Sequence, residues 1–290
     1  MPTQQPIVVG YDGSDGADAA LRWALDDAAR TNTAVVLVYA FEWRTVAGQI
    51  GLMPTAWPDD SAREEAHKLI AAALARAGKL RPEVTVSGTV VDGTAAGVLV
   101  DLSYQASLTV LGARGRSAFA DLLVGSASVA VSAHAHCPVV VVRGEPATRG
   151  PVVVGFDGSD CAQLAVEFAF AQAALRGSEL RLVHAWARPA PYWQLPEGDV
   201  REGLRAEQTE LEQVLLGWRG SYPQVSSSVH VVTAPPSPAL VDASDGAQLV
   251  VVGSRGQGGF RGLLLGSVSQ QLLHYAHCPV AVVRERPARM

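Results

Sequence analysis

The chain is one pattern written twice, and that repetition restricts its fold more than any other feature. The stretch PIVVGYDGSDGADAALRWALDDA from Pro6 is matched by PVVVGFDGSDCAQLAVEFAFAQA from Pro151, an offset of 145 residues. AHCPVVVVR ending at Arg143 is matched by AHCPVAVVR ending at Arg284, an offset of 141. The second copy is therefore four residues shorter, most simply in the connection after its second strand, where EWRTVAGQIGLMPTAWPDD faces ARPAPYWQLPEGD. Between the copies, GEPATRGP is rich in Pro, Gly and charge and reads as a linker, which places the domains at residues 1–145 and 150–290. A length of 290 residues suits two domains of ordinary size.

Within each copy, short β-branched runs (IVVGYD, AVVLVYA, VTVSGTVV, LTVLG, PVVVVR) alternate with stretches of helical spacing (AALRWALDDAAR, SAREEAHKLIAAALARA, AGVLVDLSYQ, SASVAVSAHA). Strands apolar on both faces and separated by helices belong to a parallel sheet covered on both sides. The fold class is α/β, with two tandem, doubly wound, Rossmann-like five-stranded parallel sheets in strand order 3-2-1-4-5. A single closed barrel fits poorly, because each copy carries its own complete set of signals. In this order strand 5 is an edge, and VVVVR is too apolar to be left open. The economical cover is association of the two strand-5 edges about a pseudo-twofold axis, an internal dimer, with further pairing into a homodimer open to the whole chain.

Composition removes several classes of function. Apolar residues make up 48% and charged residues 18%, so each copy can bury a core. A net charge of −5 argues against a nucleic-acid footprint. The opening MPTQQPIVVGYD lacks the basic and apolar regions of a signal peptide, and no apolar run approaches a membrane span, so a cytoplasmic protein without membrane insertion is expected. Three cysteines with no C-x-x-C pair suit a reducing compartment.

Two glycine-marked turns recur in each copy: GYDGS and GFDGS after strand 1, and GARG and GSRG after strand 4. A 3-2-1-4-5 order brings both to the crevice where the winding reverses, the place where open α/β sheets bind ligands. Gly112 and Gly115 allow close approach of backbone N–H groups to an anion, and nine residues on, Gly125-Ser126 opens a helix whose first N–H groups are unpaired. Gly253, Gly256, Gly266 and Ser267 repeat the arrangement. Such donors suit a polyphosphate. A lone Gly-x-x-Gly also serves to end a strand, and a lone Gly-Ser to cap a helix; two copies at identical spacing favour the anion site. Asp12 and Asp157 would be repelled by phosphate, so they are either acceptors for a ribose hydroxyl or adenine amino group or plain turn aspartates.

These residues resemble the universal stress protein family, in its ATP-binding, tandem form. The family pattern of Gly, two residues, Gly, nine residues, Gly-Ser or Gly-Thr after a strand is matched twice, beside V-G-x-D-G-S and A-H-C-P-V-x-V-V-R. The resemblance implies an ATP site in each copy, with Mg²⁺ carried on the phosphates and no metal ligand from protein side chains. In the first copy it assigns Gly10, Asp12, Gly112, Ala113, Arg114, Gly115, Arg116, Ser117, Gly125, Ser126 and Ala127, with Ala40 at the adenine through its backbone. In the second it assigns Gly155, Asp157, Gly253, Ser254, Arg255, Gly256, Gln257, Gly258, Gly259, Gly266, Ser267, Val268 and Ser269, with Ala185 at the adenine. Where the second copy has Gly258, Gly259, Arg261 and Gly262, the first has Ser117, Ala118, Ala120 and Asp121, which suggests weaker binding in the first. Arg114 and Arg255 either pair with phosphate or are solvated.

No GxxxxGK[ST] occurs, and GQGGFRG misses the GxGxxG pattern by one position. His134, His136, Cys137, His277 and Cys278 lack separated metal-ligand pairs and read as helix-to-strand turns. Trp43, Trp57, Trp186 and Trp193 lie in or beside the variable connection and either pack locally or close over a nucleotide. No catalytic residue is evident. The expected function is a nucleotide-dependent stress regulator, the alternatives being a slow ATPase at the same sites or a dimeric interaction module with vestigial sites.

Overall fold

The computed structural model describes residues 4–42, 60–115, 124–144, 147–186, 197–258 and 264–285. The chain packs as two units, Met1–Val131 and Ser132–Met290. In the first, β1 (Ile7–Gly10), α1 (Asp15–Thr31), β2 (Val35–Phe41), α2 (Asp60–Leu80), β3 (Val86–Asp92), α3 (Ala95–Leu102) and β4 (Leu108–Gly112) follow the expected alternation. Then α4 (Ser126–His134) precedes β5 (Val139–Val142). The second copy supplies β6 (Val152–Gly155), α5 (Asp160–Arg176), β7 (Leu180–Ala185), α6 (Glu197–Ser221), β8 (Ser227–Val232), α7 (Pro236–Ala243), β9 (Leu249–Gly253), α8 (Ser267–Tyr275) and β10 (Val280–Val283).

The first unit has strand order β3-β2-β1-β4, all parallel, and the second copy gives β8-β7-β6-β9-β10, also all parallel. Strands β4, β6, β9 and β10 are buried almost throughout, as a parallel sheet between helical layers requires. The fifth strand departs from the expectation of two separate five-stranded parallel sheets. β5 lies antiparallel to β10, with Val139 opposite Val282, Val140 opposite Ala281 and Val141 opposite Val280. The reason is the one the sequence carries: two all-apolar strands, each lacking a neighbour on one side, satisfy their backbone groups on one another.

Local chemistry sets the helix starts. Ser14 and Ser159 cap α1 and α5, their hydroxyls accepting from Ala17 N at 3.1 Å and Ala162 N at 3.2 Å. Both helices end in a left-handed residue, Asn32 and Gly177. Register locates the deletion between the copies. Ile7 pairs with Val35 as Val152 pairs with Leu180, so the 145-residue offset holds through β2 and β7. Ala40 pairs with Val91 as Ala185 pairs with Val232, so β3 and β8 already follow the offset of 141. Buried Ile70 on α2 and Leu211 on α6 share that second offset, which confines the four missing residues to the connection before α2 and α6.

In the second unit, fully buried Phe170 on α5 stacks against Trp218 and Tyr222 of α6, with ring centroids 6.1 and 5.6 Å away. Phe170→Ala is expected to cost about 3–5 kcal/mol, the usual range for emptying a buried aromatic site. Urea unfolding followed by tryptophan fluorescence measures it, and a loss below about 1 kcal/mol would contradict this packing.

Candidate functional site

The turn after β1 and the turn after β4 meet, and they meet tightly. A β-carbon on Gly112 would strike the backbone of Gly16 in the first turn of α1, and one on Gly253 would lie 2.8 Å from the Cys161 β-carbon in α5. A β-carbon on Gly115 would lie 2.6 Å from Asp12 Oδ2, and one on Gly256 would overlap Asp157 Oδ2. The Gly-x-x-Gly spacing is thus required by close approach of two chain segments, quite apart from any ligand. Gly125 and Gly266 differ. Their surroundings would accept a β-carbon at ordinary contact distances of 3.6 and 3.4 Å. Among the described residues no packing demand explains these two glycines, and both border a cavity.

Each unit has a cavity at the carboxyl ends of its strands. The first measures about 720 Å³ and is lined by Gly10, Asp12, Ala40, Gly112, Arg114, Gly115, Gly125, Ser126 and Ala127 among the anticipated residues. The second measures about 470 Å³ and takes Gly155, Asp157, Ala185, Gly253, Arg255, Gly256, Gly258, Gly266, Ser267, Val268 and Ser269. Both volumes fall within the usual range for small-molecule pockets. Ala113 and Ser254 are buried beneath the glycine turns and do not reach the cavities. Gln257 contributes its backbone, whose N–H donates to Asp157 Oδ2 at 2.9 Å. Arg116, Ser117 and Gly259 lie outside the described residues, as do Trp43, Trp57, Trp193, Ala118, Ala120, Asp121, Arg261 and Gly262.

The aspartates serve the turns first. Asp12 Oδ1 accepts from Ser14 N at 3.0 Å, and Asp157 Oδ1 accepts from Ser159 N at 3.1 Å. Each carboxylate thereby fixes the entry to α1 or α5, and Asp157 also ties that entry to the glycine turn. A carboxylate has about four acceptor positions, so the two bonds made by Asp157 leave it room for further donors. At the other wall the stretch between the glycines is pinned at its base: Gly125 N donates to Ala113 O and Gly266 N to Ser254 O, each at 2.7 Å. Ser128 and Ser269 hydroxyls donate to Gly112 O and Gly253 O at 2.8 and 2.7 Å, holding the first turns of α4 and α8 against the strand ends. Helical N–H groups at these N-termini therefore line the cavity in fixed positions, with the positive end of the helix dipole toward it.

The floor was not legible in the sequence. Leu99, Leu111 and Val38 line the first cavity, and Leu240, Val252 and Val183 the second. They sit in ordinary apolar runs, where nothing separates a residue under a crevice from one in the core. Also missed is His184, whose Nδ1 lies 2.8 Å from Phe156 O and whose Nε2 lies 3.3 Å from Glu207 Oε1. Beside the second cavity, burial and then the nearby Arg255 charge hold the Arg284 pKa below its ordinary value. In the first, Tyr11 donates to Asp18 Oδ1 at 2.6 Å and accepts from Arg76 of α2. Burial first, then Asp18, push the Tyr11 pKa from 10.0 up to about 12. Among the described residues no group of three or more His, Cys, Asp or Glu side chains gathers as a metal site, and no helix is long and apolar enough to cross a membrane.

Together these features define a tandem, doubly wound α/β protein with one glycine-walled crevice in each unit. Residues 4–143 and 148–284 each match the universal stress protein family. A universal stress protein of Mycobacterium tuberculosis is 37% identical over 295 residues, covering 97% of this chain and 98% of its own. A second from the same organism is 37% identical over 293 residues, with 96% of each chain covered. The solved structure of a universal stress protein from Archaeoglobus fulgidus shares the fold, with a TM-score of 0.68 at 21% identity over 99% of this chain and 100% of that one. The chain belongs to the universal stress protein family, as a tandem member.

Two outcomes test this geometry. Gly256→Ala is expected to destabilise the chain by about 1–3 kcal/mol through the overlap with Asp157, whereas Gly258→Ala, in open space, should stay within about 0.5 kcal/mol. Adding Asp157→Ala should remove most of the Gly256→Ala cost; strictly additive urea-unfolding energies would refute the contact. Separately, the folded chain holds the Tyr11 proton more tightly than the unfolded chain does. Its stabilising share is therefore complete below pH 10 and lost as pH rises through about 12. An ultraviolet phenolate titration should show a late-ionising tyrosine that disappears in Tyr11→Phe.

Proposed function

We propose that each unit binds one ATP and that occupancy of the two sites, rather than turnover, is the protein's output as a stress-response regulator in the cytoplasm. The single observation that carries this reading is the pair of glycines, Gly125 and Gly266, that no packing among the described residues requires. Each stands where a helix N-terminus and a glycine turn bring backbone donors to one cavity. Triphosphate is the chemistry such a wall suits, because N–H donors and a helix dipole stabilise clustered negative charge without a counter-charge of their own. Ser126 and Ser267 add exposed hydroxyls at the same place. Ala40 and Ala185, at the ends of β2 and β7, stand where a base would meet backbone, over a leucine and valine floor. Mg²⁺ would travel on the phosphates. Family membership supports the stress-related role.

Calorimetric titration with ATP tests the reading. Two sites per chain are expected, and Gly125→Ala and Gly266→Ala should each weaken their own site about tenfold or more, a β-carbon standing where a phosphate must approach, while circular dichroism stays unchanged. Unchanged affinity in both variants would remove the phosphate assignment. Phosphate release with Mg²⁺ present should stay near the uncatalysed level, and steady turnover would favour the slow-ATPase alternative instead.

A further inference from the structure

The two cavities are not equivalent, and the difference lies at one end. The first reaches beneath α2, where Ala62, Glu65, Ala66 and Leu69 join Phe41 and Glu42 of the β2 end in its lining. No described side chain of α6 lines the second. The repeat shows what fills the corresponding space. Phe41 corresponds to Trp186, Ala62 to Gly203, Ala66 to Glu207 and Tyr39 to His184. The Trp186 indole lies so close to α6 that a β-carbon on Gly203 would sit 2.9 Å from its ring. Beside it, His184 bridges Phe156 O at 2.8 Å and Glu207 Oε1 at 3.3 Å, drawing α6 onto the sheet. In the first unit the smaller Phe41 ring lies under the Arg63 guanidinium, 5.2 Å from its centroid, and Ala66 offers no side chain for a bridge to Tyr39.

Taking the ATP reading above as its basis, the geometry points to Trp186, seated on Gly203, as the residue that limits the second site to an unsubstituted adenine nucleotide, while the first site accepts an adenine nucleotide carrying an extra group on its base. Ala40 and Ala185, the positions assigned to the base, immediately precede Phe41 and Trp186 in the chain. An extension from the base therefore enters the chamber under α2 in the first unit and meets packed indole in the second. Glu42 and Glu65 border that chamber and are exposed, so a neutral or cationic extension is favoured over an anionic one. The described parts of the glycine turns and the N-termini of α4 and α8 are built the same way, so this difference between the sites lies at the base end.

The test uses the full chain, ATP, and an ATP analogue bearing an aminohexyl chain on its exocyclic amine. ATP should titrate two sites and the analogue one, with the second site at least about tenfold weaker for the analogue, the effect of forcing an extra group into packed side chains. Trp186→Phe with Gly203→Ala, which installs the first unit's pair, should raise the analogue to two sites. Phe41→Trp with Ala62→Gly should reduce it to none while ATP still fills two, which also reports that the variant is folded. Analogue binding at both sites of the unaltered chain would overturn the role of Trp186. Analogue binding at neither, with ATP filling both, would overturn the chamber. ATP itself binding at neither site would instead sink the nucleotide reading on which this rests.

Discussion

The structure turns on a backbone contact: the end of β4 against the start of α1, and the end of β9 against the start of α5. Gly112 rests on Gly16, and Gly253 on Cys161, closer than any side chain at either glycine would permit. This contact draws the strand-1 turn and the glycine turn into one wall. The aspartate carboxylates then find their amide partners, and the helix N-terminus that follows is aimed into the resulting crevice. The cavity is a by-product of parallel winding, which leaves strand ends uncovered where the crossovers part. The glycines decide that backbone, rather than side chains, faces it.

Repetition has preserved this wall and released its surroundings. Both copies keep the serine caps, the Asx turns and the serine that pins each helix to its strand end. They diverge where the second strand gives way to the helix that follows. There the first copy has a phenol, a phenyl ring and small helical residues, and the second has an imidazole, an indole and a glycine. The cavities differ in size, about 720 against about 470 Å³, on an unchanged strand order. Duplication with local filling is an economical way to give one chain two related but unequal sites.

The fifth strand shows how edge chemistry overrides the simple repeat. A strand made only of valines, with one side unpaired, is an aggregation template in water. Pairing β5 antiparallel with β10 buries both, and the arginine after each reaches a helix carbonyl, Arg143 to Leu273 O and Arg284 to Ala133 O. Those guanidinium groups lie at the C-terminal ends of α8 and α4, where the helix dipole favours a cation.

Much of this was written in the chain. Alternating periods gave the order of elements, the paired 145- and 141-residue offsets gave the repeat, and the glycine and aspartate spacing located the crevice walls, because each of these is a local requirement of backbone geometry. The edge argument even named the strands that would seek each other. What tertiary structure alone decided is the meaning of the individual residues. Gly115 and Gly256 answer to a carboxylate about a hundred residues earlier in sequence, whereas Gly125 and Gly266 meet no such demand among the described residues, and identical letters cannot carry that distinction. The leucines of the cavity floor and the indole packed on Gly203 are likewise ordinary apolar residues in sequence. Their roles depend on which surface lies opposite them, and that is settled only when distant segments pack.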